Sequence, residues 1–307
     1  MSKKLFLFPG QGSQYVGMGK DFYEKSQKAR EIFSRADELL GFSLTKLCFN
    51  GPEEELKLTC YTQPALLTVS YLTYDLLGIK PDLAAGHSLG EYSALVAAGS
   101  LSFEDGLRLV ANRGRYMMEA LPPGAGIMAA VLGLDYQKVE EGLKSVGSGL
   151  VQIANWNSED QIVIAGEKTA VEEALAVLKA PRSVFLQVSS PFHTILMKSA
   201  AEKLKADLDK VSFNDPEFPV ISNVTAEEIR TGTQARALLG KQIICPVLWY
   251  PSMQKLGDKE IGLAVELGPG KVLTGLLKRI SRNWPTPPAL YNIEDMDSLE
   301  KFKLLYS

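Results

Sequence analysis

One serine, two histidines and one arginine are the residues of this chain whose types and spacing suit chemistry. Residues 86–92 read GHSLGEY, so Ser88 lies in a G-x-S-x-G pattern directly after the apolar run 83–85. This pattern places a serine on a sharp turn between a strand and a helix, where the next backbone N–H faces a developing oxyanion. The flanking glycines leave room for the turn. The segment predicts a nucleophilic serine, although a five-residue pattern with three fixed positions also occurs by chance.

A serine hydroxyl needs a base, which near neutral pH is normally a histidine. The chain has only two histidines, His87 and His193. Successive side chains at a strand end point to opposite faces, so His87 is poorly placed to take a proton from its neighbour. His193, in SSPFHTILM, is the remaining candidate, with a purely structural histidine as the alternative. We therefore expect Ser88 and His193 to meet in space.

Arg113 is the candidate for binding a substrate. On the predicted helix 103–120 it lies near the margin of the apolar face, where it can enter a pocket while its stem packs on that face. A guanidinium in a pocket can hold a carboxylate through two hydrogen bonds. The spacing alone leaves a structural salt bridge equally open.

The composition of the 307-residue chain is that of a globular protein, with 46% hydrophobic and 22% charged residues. A net charge of −3 gives no sign of nucleic-acid binding. The N-terminal apolar run is too short for a secretory signal, and no segment reaches the roughly 18 apolar residues of a membrane span. The three cysteines, without metal-ligand or disulfide spacing, indicate no metal site and a reducing cytoplasm. Glycine-rich stretches at 10–19 and 268–271 lack nucleotide-binding spacing.

Strands and helices alternate along most of the chain. Apolar runs predict a buried strand at 4–8 and a buried helix at 62–77, with Thr62 as its N-cap. A strand, a turn and a helix surround Ser88, and Ser102 is expected to cap the next helix. This alternation indicates an α/β fold with a parallel sheet.

Residues 122–195 show a different order. They read as strand, helix, two strands, helix and strand, which is the βαββαβ order of a ferredoxin-like unit. We therefore expect an α/β-hydrolase-like large subdomain, formed by residues 1–121 and 196–307, with a ferredoxin-like small subdomain inserted at 122–195. The position of His193 differs from an ordinary α/β-hydrolase, in which the histidine comes late in the chain and after the acid.

Eight short motifs occur together along the chain: FPGQGSQ, TQPA, GHSLGEY, RGRYM, NWNS/QIVIAG, PFH, SNVTA and ELGPGKVL. In these motifs and their order the chain resembles the malonyl-CoA:acyl carrier protein transacylases of bacterial fatty acid synthesis, over essentially its whole length. The resemblance implies a cytoplasmic acyltransferase that moves malonyl groups from malonyl-CoA to the phosphopantetheine thiol of acyl carrier protein, by a ping-pong mechanism. It implies no cofactor, because the CoA thioester is a substrate and the carrier protein holds the phosphopantetheine. Nucleic acid and membrane are not expected partners.

The resemblance also implies catalytic roles. Ser88 would carry the malonyl ester, and His193 would take its proton and later protonate the departing thiol. Gln242, in KQIICPV, would orient the histidine through its backbone carbonyl in place of a triad aspartate. Gln11 and Leu89 would supply the backbone N–H groups of the oxyanion hole.

Substrate selection is implied by two further positions. Arg113 would bind the malonyl carboxylate. The resemblance therefore favours a carboxylate clamp, in which the guanidinium holds a substrate carboxylate, over a structural salt bridge. Phe192, before the histidine, matches malonyl-selecting polyketide acyltransferases and would narrow the pocket against an α-methyl group. Three asparagines match family positions without an assigned role: Asn155, Asn157 and Asn223.

Three alternative functions remain open from the sequence. Phe192 keeps a stand-alone polyketide-type acyltransferase open, and the serine alone is compatible with an esterase or thioesterase. A non-catalytic docking component is the third alternative. Because acyl carrier proteins are acidic, a basic docking patch is expected, with candidates on the last predicted helix: Lys278, Arg279 and Arg282. A charged helix end of this kind is also typical of an ordinary solvated face.

Overall fold

The computed structural model describes residues 2–122, 124–188 and 190–306. The remaining residues, Met1, Pro123, Ser189 and Ser307, fall inside the predicted subdomain ranges and lie outside the described residues. The strands are β1 (Lys3–Phe8), β2 (Leu83–Gly86), β3 (Gly126–Leu132), β4 (Val151–Ser158), β5 (Gln161–Glu167), β6 (Arg182–Phe185), β7 (Val220–Ile221), β8 (Glu228–Ile229), β9 (Ile261–Leu267) and β10 (Ala289–Ile293). The helices are α1 (Lys20–Lys25), α2 (Gln27–Leu40), α3 (Leu44–Asn50), α4 (Glu53–Leu56), α5 (Thr59–Leu77), α6 (Leu89–Ala97), α7 (Phe103–Glu119), α8 (Tyr136–Leu143), α9 (Lys168–Leu178), α10 (Lys198–Leu208), α11 (Gly232–Gln242), α12 (Trp249–Leu256), α13 (Val272–Ile280) and α14 (Met296–Tyr306).

The larger sheet has six strands in the order β10-β9-β1-β2-β7-β8. All neighbouring strands are parallel except β7 and β8. In β1, Leu5 and Leu7 pack into the core on one face of the sheet. Phe6 and Phe8 pack into the core on the other face, because successive side chains alternate. Burial on both faces explains the continuous apolar run, and the predicted parallel α/β sheet is confirmed.

The smaller sheet is antiparallel, with the strand order β4-β5-β3-β6. The elements follow one another as β3-α8-β4-β5-α9-β6, which is the predicted ferredoxin-like arrangement. All of them lie between Gly126 and Phe185, inside the segment 122–195, whose exact boundaries stay a prediction. Two backbone hydrogen bonds of 2.9 Å join β4 to Val247 and so tie the smaller sheet to the chain after α11.

The start of α5 differs from the prediction. The helix begins at Thr59, with Leu58 at the N-cap. Thr62 lies inside the first turn, where its hydroxyl donates to the Leu56 carbonyl at 2.5 Å, so the N-cap prediction was wrong. Pro64 consequently lies beyond the first turn. Packing on all sides of this buried helix compensates for the backbone hydrogen bond that a proline cannot donate.

The N-cap of α7 is confirmed. Ser102 Oγ accepts a hydrogen bond of 3.0 Å from the backbone N–H of Asp105, which satisfies one of the free donors at a helix start. This cap fixes the beginning of the helix that carries Arg113. Among the described residues, no helix has the length and apolar character needed to cross a bilayer.

Candidate active site

Ser88 lies on the turn between β2 and α6, as the G-x-S-x-G pattern predicts. Its backbone has φ 52° and ψ −106°, a conformation that residues with a Cβ rarely adopt. A Cβ on Gly86 would lie 1.9 Å from the carbonyl carbon of Gly90, and a Cβ on Gly90 would lie 2.0 Å from the Phe8 oxygen. The two glycines therefore allow the contact between strand and helix that presents Ser88 at the carboxyl end of the sheet.

Replacement of Gly90 with alanine is expected to lower the free energy of unfolding by about 2 kcal/mol or more. The nearest atoms to the new methyl group belong to the backbone at the end of β1, which cannot move aside without disturbing the sheet. Urea unfolding measures the effect. Gly147→Ala is the matched control, because nothing lies within 4 Å of its Cβ position. Equal stability of the two variants would contradict the close-packing interpretation.

Ser88 and His193 meet as expected. Ser88 Oγ lies 2.8 Å from His193 Nε2, and His193 Nδ1 lies 2.9 Å from the carbonyl oxygen of Gln242. A carbonyl oxygen only accepts, so Nδ1 carries the ring proton and Nε2 accepts from the serine hydroxyl. Burial, with a smaller contribution from the Arg113 charge, lowers the pKa of His193 to about 3. The imidazole is therefore a neutral base at physiological pH.

Gln242 is the last residue of α11, and its carbonyl is one of the oxygens that a helix C-terminus leaves without an intrahelical partner. His193 Nδ1–H satisfies this oxygen. The C-terminus is also the negative end of the helix dipole, which favours a developing positive charge on the imidazole. The structure thus places this carbonyl where a triad aspartate would otherwise orient the ring.

Arg113 is 1% exposed and reaches the nucleophile from α7. Its Nη2 donates to Ser88 Oγ at 3.1 Å and to Gln242 Oε1 at 2.9 Å. Its Nη1 donates to Gln63 Oε1 at 2.8 Å. All three acceptors are neutral, and within the described residues Arg113 forms no salt bridge. Burial lowers the pKa of this guanidinium, which leaves a buried cation suited to an anionic ligand.

Gln11 and Leu89 come from two different segments of the chain. Gln11 follows β1 and lines the same cavity as Ser88, while Leu89 begins α6. Within residues 2–122, 124–188 and 190–306, neither backbone N–H donates a hydrogen bond. Thr59 Oγ1 donates to Gln11 Oε1 at 2.7 Å and steadies the loop. The predicted oxyanion hole thus has two available donors, and its role stays a prediction.

A cavity of about 560 Å³ adjoins Ser88 and His193. Met128 and Val163 of the smaller sheet line it, together with the buried Phe192. Exposed Lys271 and Arg279 line it from the side of α13. The cavity therefore combines apolar walls with a positively charged margin, which suits an acyl thioester attached to a phosphorylated carrier.

Two of the unassigned asparagines support the serine turn. Asn223 Oδ1 accepts from the backbone N–H of Ser88 at 2.6 Å, and Asn223 Nδ2 donates to the Gly86 carbonyl at 2.7 Å. His87 Nε2 lies 2.9 Å from Asn157 Oδ1, away from the nucleophile. The expectation that His87 is poorly placed as the base agrees with this geometry. Asn155, the third, lines the cavity.

Glu266, in ELGPGKVL, was also not identified from the sequence. Its carboxylate accepts from the backbone N–H groups of Leu273 and Thr274 at 3.0 and 2.8 Å. It therefore caps α13 from the end of β9 and fixes the loop 268–271 beside the cavity. A carboxylate followed by glycines and a helix was the available signal, since acidic groups favour helix N-termini.

An acyl transferase domain family matches residues 5–298 of the chain. The chain belongs to this acyl transferase family. The acyltransferase is 48% identical, over 294 residues, to a malonyl CoA-acyl carrier protein transacylase of Bacillus subtilis (strain 168), with 93% of each chain covered. It is 46% identical, over 288 residues, to the Escherichia coli (strain K12) protein of the same name, with 91% of this chain and 93% of the relative covered.

Solved structures agree with these relatives. An acyl carrier protein S-malonyltransferase from Vibrio cholerae matches the acyltransferase with a TM-score of 0.94 and 39% identity, covering 98% of this chain and 100% of that chain. A malonyl-transacylase solved in complex with a type II PKS acyl-carrier protein matches with a TM-score of 0.93 and 41% identity, covering 98% of both chains. The family resemblance and the fold class are confirmed.

Proposed function

We propose that this acyltransferase moves a malonyl group from malonyl-CoA to the phosphopantetheine thiol of acyl carrier protein through an ester on Ser88. The observation that carries the proposal is the buried Arg113 guanidinium, which contacts the nucleophile and whose hydrogen-bond acceptors among the described residues are all neutral. A buried cation that forms no direct ion pair is destabilising. A carboxylate on the acyl group offsets that cost, and the activities named for the relatives support the same substrate.

The first half of the reaction acylates the serine. Ser88 Oγ attacks the thioester carbonyl and its proton passes to His193 Nε2. The negative charge on the carbonyl oxygen is stabilised by the backbone N–H groups of Gln11 and Leu89. When the C–S bond breaks, His193 returns the proton to the departing CoA thiol.

The second half reverses these steps with a different thiol. The phosphopantetheine thiol gives its proton to His193 and attacks the ester carbonyl. A new C–S bond forms, the ester bond breaks, and Ser88 recovers its proton. The malonyl carboxylate stays bound to Arg113 during both halves of the reaction. This contact holds the ester carbonyl in place after CoA leaves and until the phosphopantetheine thiol attacks.

The test is the mass of the intact protein after mixing with malonyl-CoA. We expect the wild-type chain to gain the mass of one malonyl group and the Ser88→Ala variant to gain none. Subsequent addition of carrier protein in its phosphopantetheine form is expected to remove the adduct and yield malonyl carrier protein. An adduct on Ser88→Ala would refute the nucleophile. Release of free malonate instead of malonyl carrier protein would favour the esterase alternative.

We further propose that the carrier protein binds beside α13. Four exposed cations on and around this helix form no salt bridge within the described part of the chain: Lys271, Lys278, Arg279 and Arg282. Lys271 and Arg279 also line the cavity that contains Ser88. An acidic carrier protein bound here would have its thiol arm next to the nucleophile.

Reversal of charge at this patch is expected to weaken carrier-protein binding. The double variant Lys278→Glu/Arg282→Glu is expected to raise the dissociation constant roughly tenfold at low salt and to flatten its salt dependence. Malonyl loading of Ser88, which does not involve the carrier protein, is the internal standard, and Lys144→Glu at the C-cap of α8 is the control. Unchanged binding and unchanged salt dependence would place the docking surface elsewhere.

We propose a cytoplasmic reaction without a metal or resident cofactor. In the mechanism above, side chains and backbone N–H groups move the proton and stabilise the oxyanion, so the chemistry needs no further group. The free thiols of Cys48, Cys60 and Cys245 are consistent with a reducing compartment.

A further inference from the structure

Glu91 is a buried carboxylate that the mechanism above does not use. It lies in the first turn of α6, within GHSLGEY, and is 0% exposed. Its Oε2 accepts from Gln242 Nε2 at 2.8 Å and from the backbone N–H of Asn223 at 3.0 Å. Its Oε1 has no partner among the described residues. Burial of a carboxylate without a directly bound cation is costly, which indicates that this position does more than fill space.

The side-chain amide of Gln242 connects Glu91 to the reacting groups. Its Nε2 donates to Glu91 Oε2 and, at 3.0 Å, to the backbone carbonyl of Ser88. Its Oε1 accepts from Arg113 Nη2 at 2.9 Å. A reversed amide would place N–H groups against the guanidinium, which only donates. Glu91, as an acceptor on the opposite side, therefore selects the amide orientation that holds Arg113.

The contacts of Glu91 with Asn223 and Gln242 also connect it to Ser88 and His193. Asn223, whose backbone N–H donates to Glu91, accepts from the Ser88 backbone N–H through its side chain. Gln242, through its carbonyl, accepts from His193. One carboxylate thus supports both segments that hold the nucleophile, the base and the guanidinium.

The protonation of Glu91 leaves this contact in place. Burial raises the pKa of Glu91 to about 7, so neutral and ionised forms coexist at physiological pH. The partnerless Oε1 is available to carry the proton while Oε2 continues to accept from Gln242. The position of the acceptor oxygen is therefore the property on which the Gln242 amide depends.

We propose that Glu91 is a positioning residue for selection of the acyl group: its Oε2 fixes the Gln242 amide, and the amide holds the Arg113 guanidinium beside the ester on Ser88. This inference rests on the proposed function, in which Arg113 binds the malonyl carboxylate. An acetyl group has no carboxylate and does not use this contact. Loss of the Glu91 oxygen is therefore expected to affect malonyl loading more strongly than acetyl loading.

Three variants separate the position of the oxygen from its charge. Glu91→Gln keeps the length and one acceptor oxygen, Glu91→Asp keeps the charge but withdraws the oxygen by one methylene, and Glu91→Ala removes both. The readout is the ratio of kcat/KM for loading of Ser88 from malonyl-CoA and from acetyl-CoA. We expect a fall in this ratio of about tenfold in the aspartate and alanine variants. Glutamine is expected to restore most of the wild-type ratio.

The control and the contrary outcomes are specific. Ser93→Ala, which removes from α6 a buried hydroxyl that has no hydrogen-bond partner among the described residues, is expected to leave the ratio unchanged. The inference is overturned if all Glu91 variants keep the wild-type ratio, or if both loading rates fall together. It is also overturned if aspartate retains the ratio and glutamine loses it. Should the alanine variant fail to fold, the aspartate and glutamine pair decides.

The same experiment separates this inference from the proposed function. Wild-type protein that forms no malonyl ester on Ser88 contradicts the function itself. Wild-type protein that forms the ester, with a ratio insensitive to every Glu91 variant, contradicts the role of Glu91 alone.

Discussion

Replacement of Arg113 with alanine is expected to slow malonyl loading of Ser88 by about a hundredfold or more, and to leave acetyl loading unchanged or faster. The variant removes the buried cation that would pair with the malonyl carboxylate, and breaking such a pair costs about 3–5 kcal/mol. An acetyl group has no carboxylate, so it loses no contact with the guanidinium, and the smaller alanine side chain leaves it more room beside Ser88. Single-turnover loading from the two thioesters measures both rates.

The control for this prediction is Arg108→Ala. Arg108 lies on the same helix but is solvent-exposed, with a side chain 57% exposed. Its removal is expected to leave both loading rates at the wild-type level. Malonyl kinetics that survive the Arg113 substitution would remove the carboxylate clamp and return the guanidinium to a structural role.

Replacement of His193 with alanine is expected to slow loading from malonyl-CoA and acetyl-CoA alike, by about a thousandfold. The serine then has no group to accept its proton, whichever acyl group is attacked. Stopped-flow release of CoA measures the loss. His87→Gln is the matched control, because a glutamine can still donate to Asn157, and a comparable loss there would mean that the base has been misassigned.

The pH dependence gives a second check on His193. Because burial lowers the pKa of this imidazole to about 3, the base stays unprotonated in the free enzyme throughout the range from roughly pH 5 to pH 8. We therefore expect kcat/KM for loading to show no decline from His193 as the pH falls through this range. A decline with an apparent pKa near the ordinary histidine value, which alanine substitution abolishes, would contradict a neutral buried base.

The same shift makes a signed prediction about stability. In the unfolded chain His193 takes up its proton near the ordinary histidine pKa of 6.5, whereas in the folded chain its pKa is lowered to about 3. Below about pH 6.5 the unfolded state therefore binds more protons, so the contribution of His193 to stability declines as the pH falls. Because the raised pKa of Glu91 acts in the opposite direction over the same range, we expect the decline as a fall in the stability of the wild type relative to His193→Gln, measured by urea unfolding between pH 7 and pH 4.

The parts of the molecule that were predicted from the sequence depend on neighbours close in the chain. The turn at Ser88 needs a strand, two glycines and a helix within a few residues, so a short segment contains the whole signal. The smaller sheet was predicted because its strands and helices follow the βαββαβ order along 122–195. The N-cap of α5 was misplaced because a buried helix tolerates Pro64 beyond its first turn, and local cap rules do not include that packing.

Two of the residues that escaped prediction, Glu91 and Gln63, act across long separations. Glu91 contacts the backbone of Asn223 across 132 positions, and Gln63 contacts Arg113 across 50. The spacing of residues within one helix or strand does not predict such contacts, because each contact depends on how the helices and strands pack against one another. The neutral hydrogen-bond acceptors of Arg113 were equally hidden, and the spacing on its helix left a structural salt bridge open. The chemistry of the nucleophile was therefore predictable, whereas its supporting contacts required the fold.

Both reacting residues have backbone conformations that L-amino acids avoid: φ is 52° at Ser88 and 61° at His193. Each such conformation costs on the order of 1–3 kcal/mol, which the rest of the fold offsets through ordinary packing. Glycine at either position would relax the chain and remove the chemistry with it. A selection for heat resistance alone will therefore enrich inactive variants that carry glycine at one of these two positions. A search for thermostable variants of this enzyme consequently needs an activity screen from the first round.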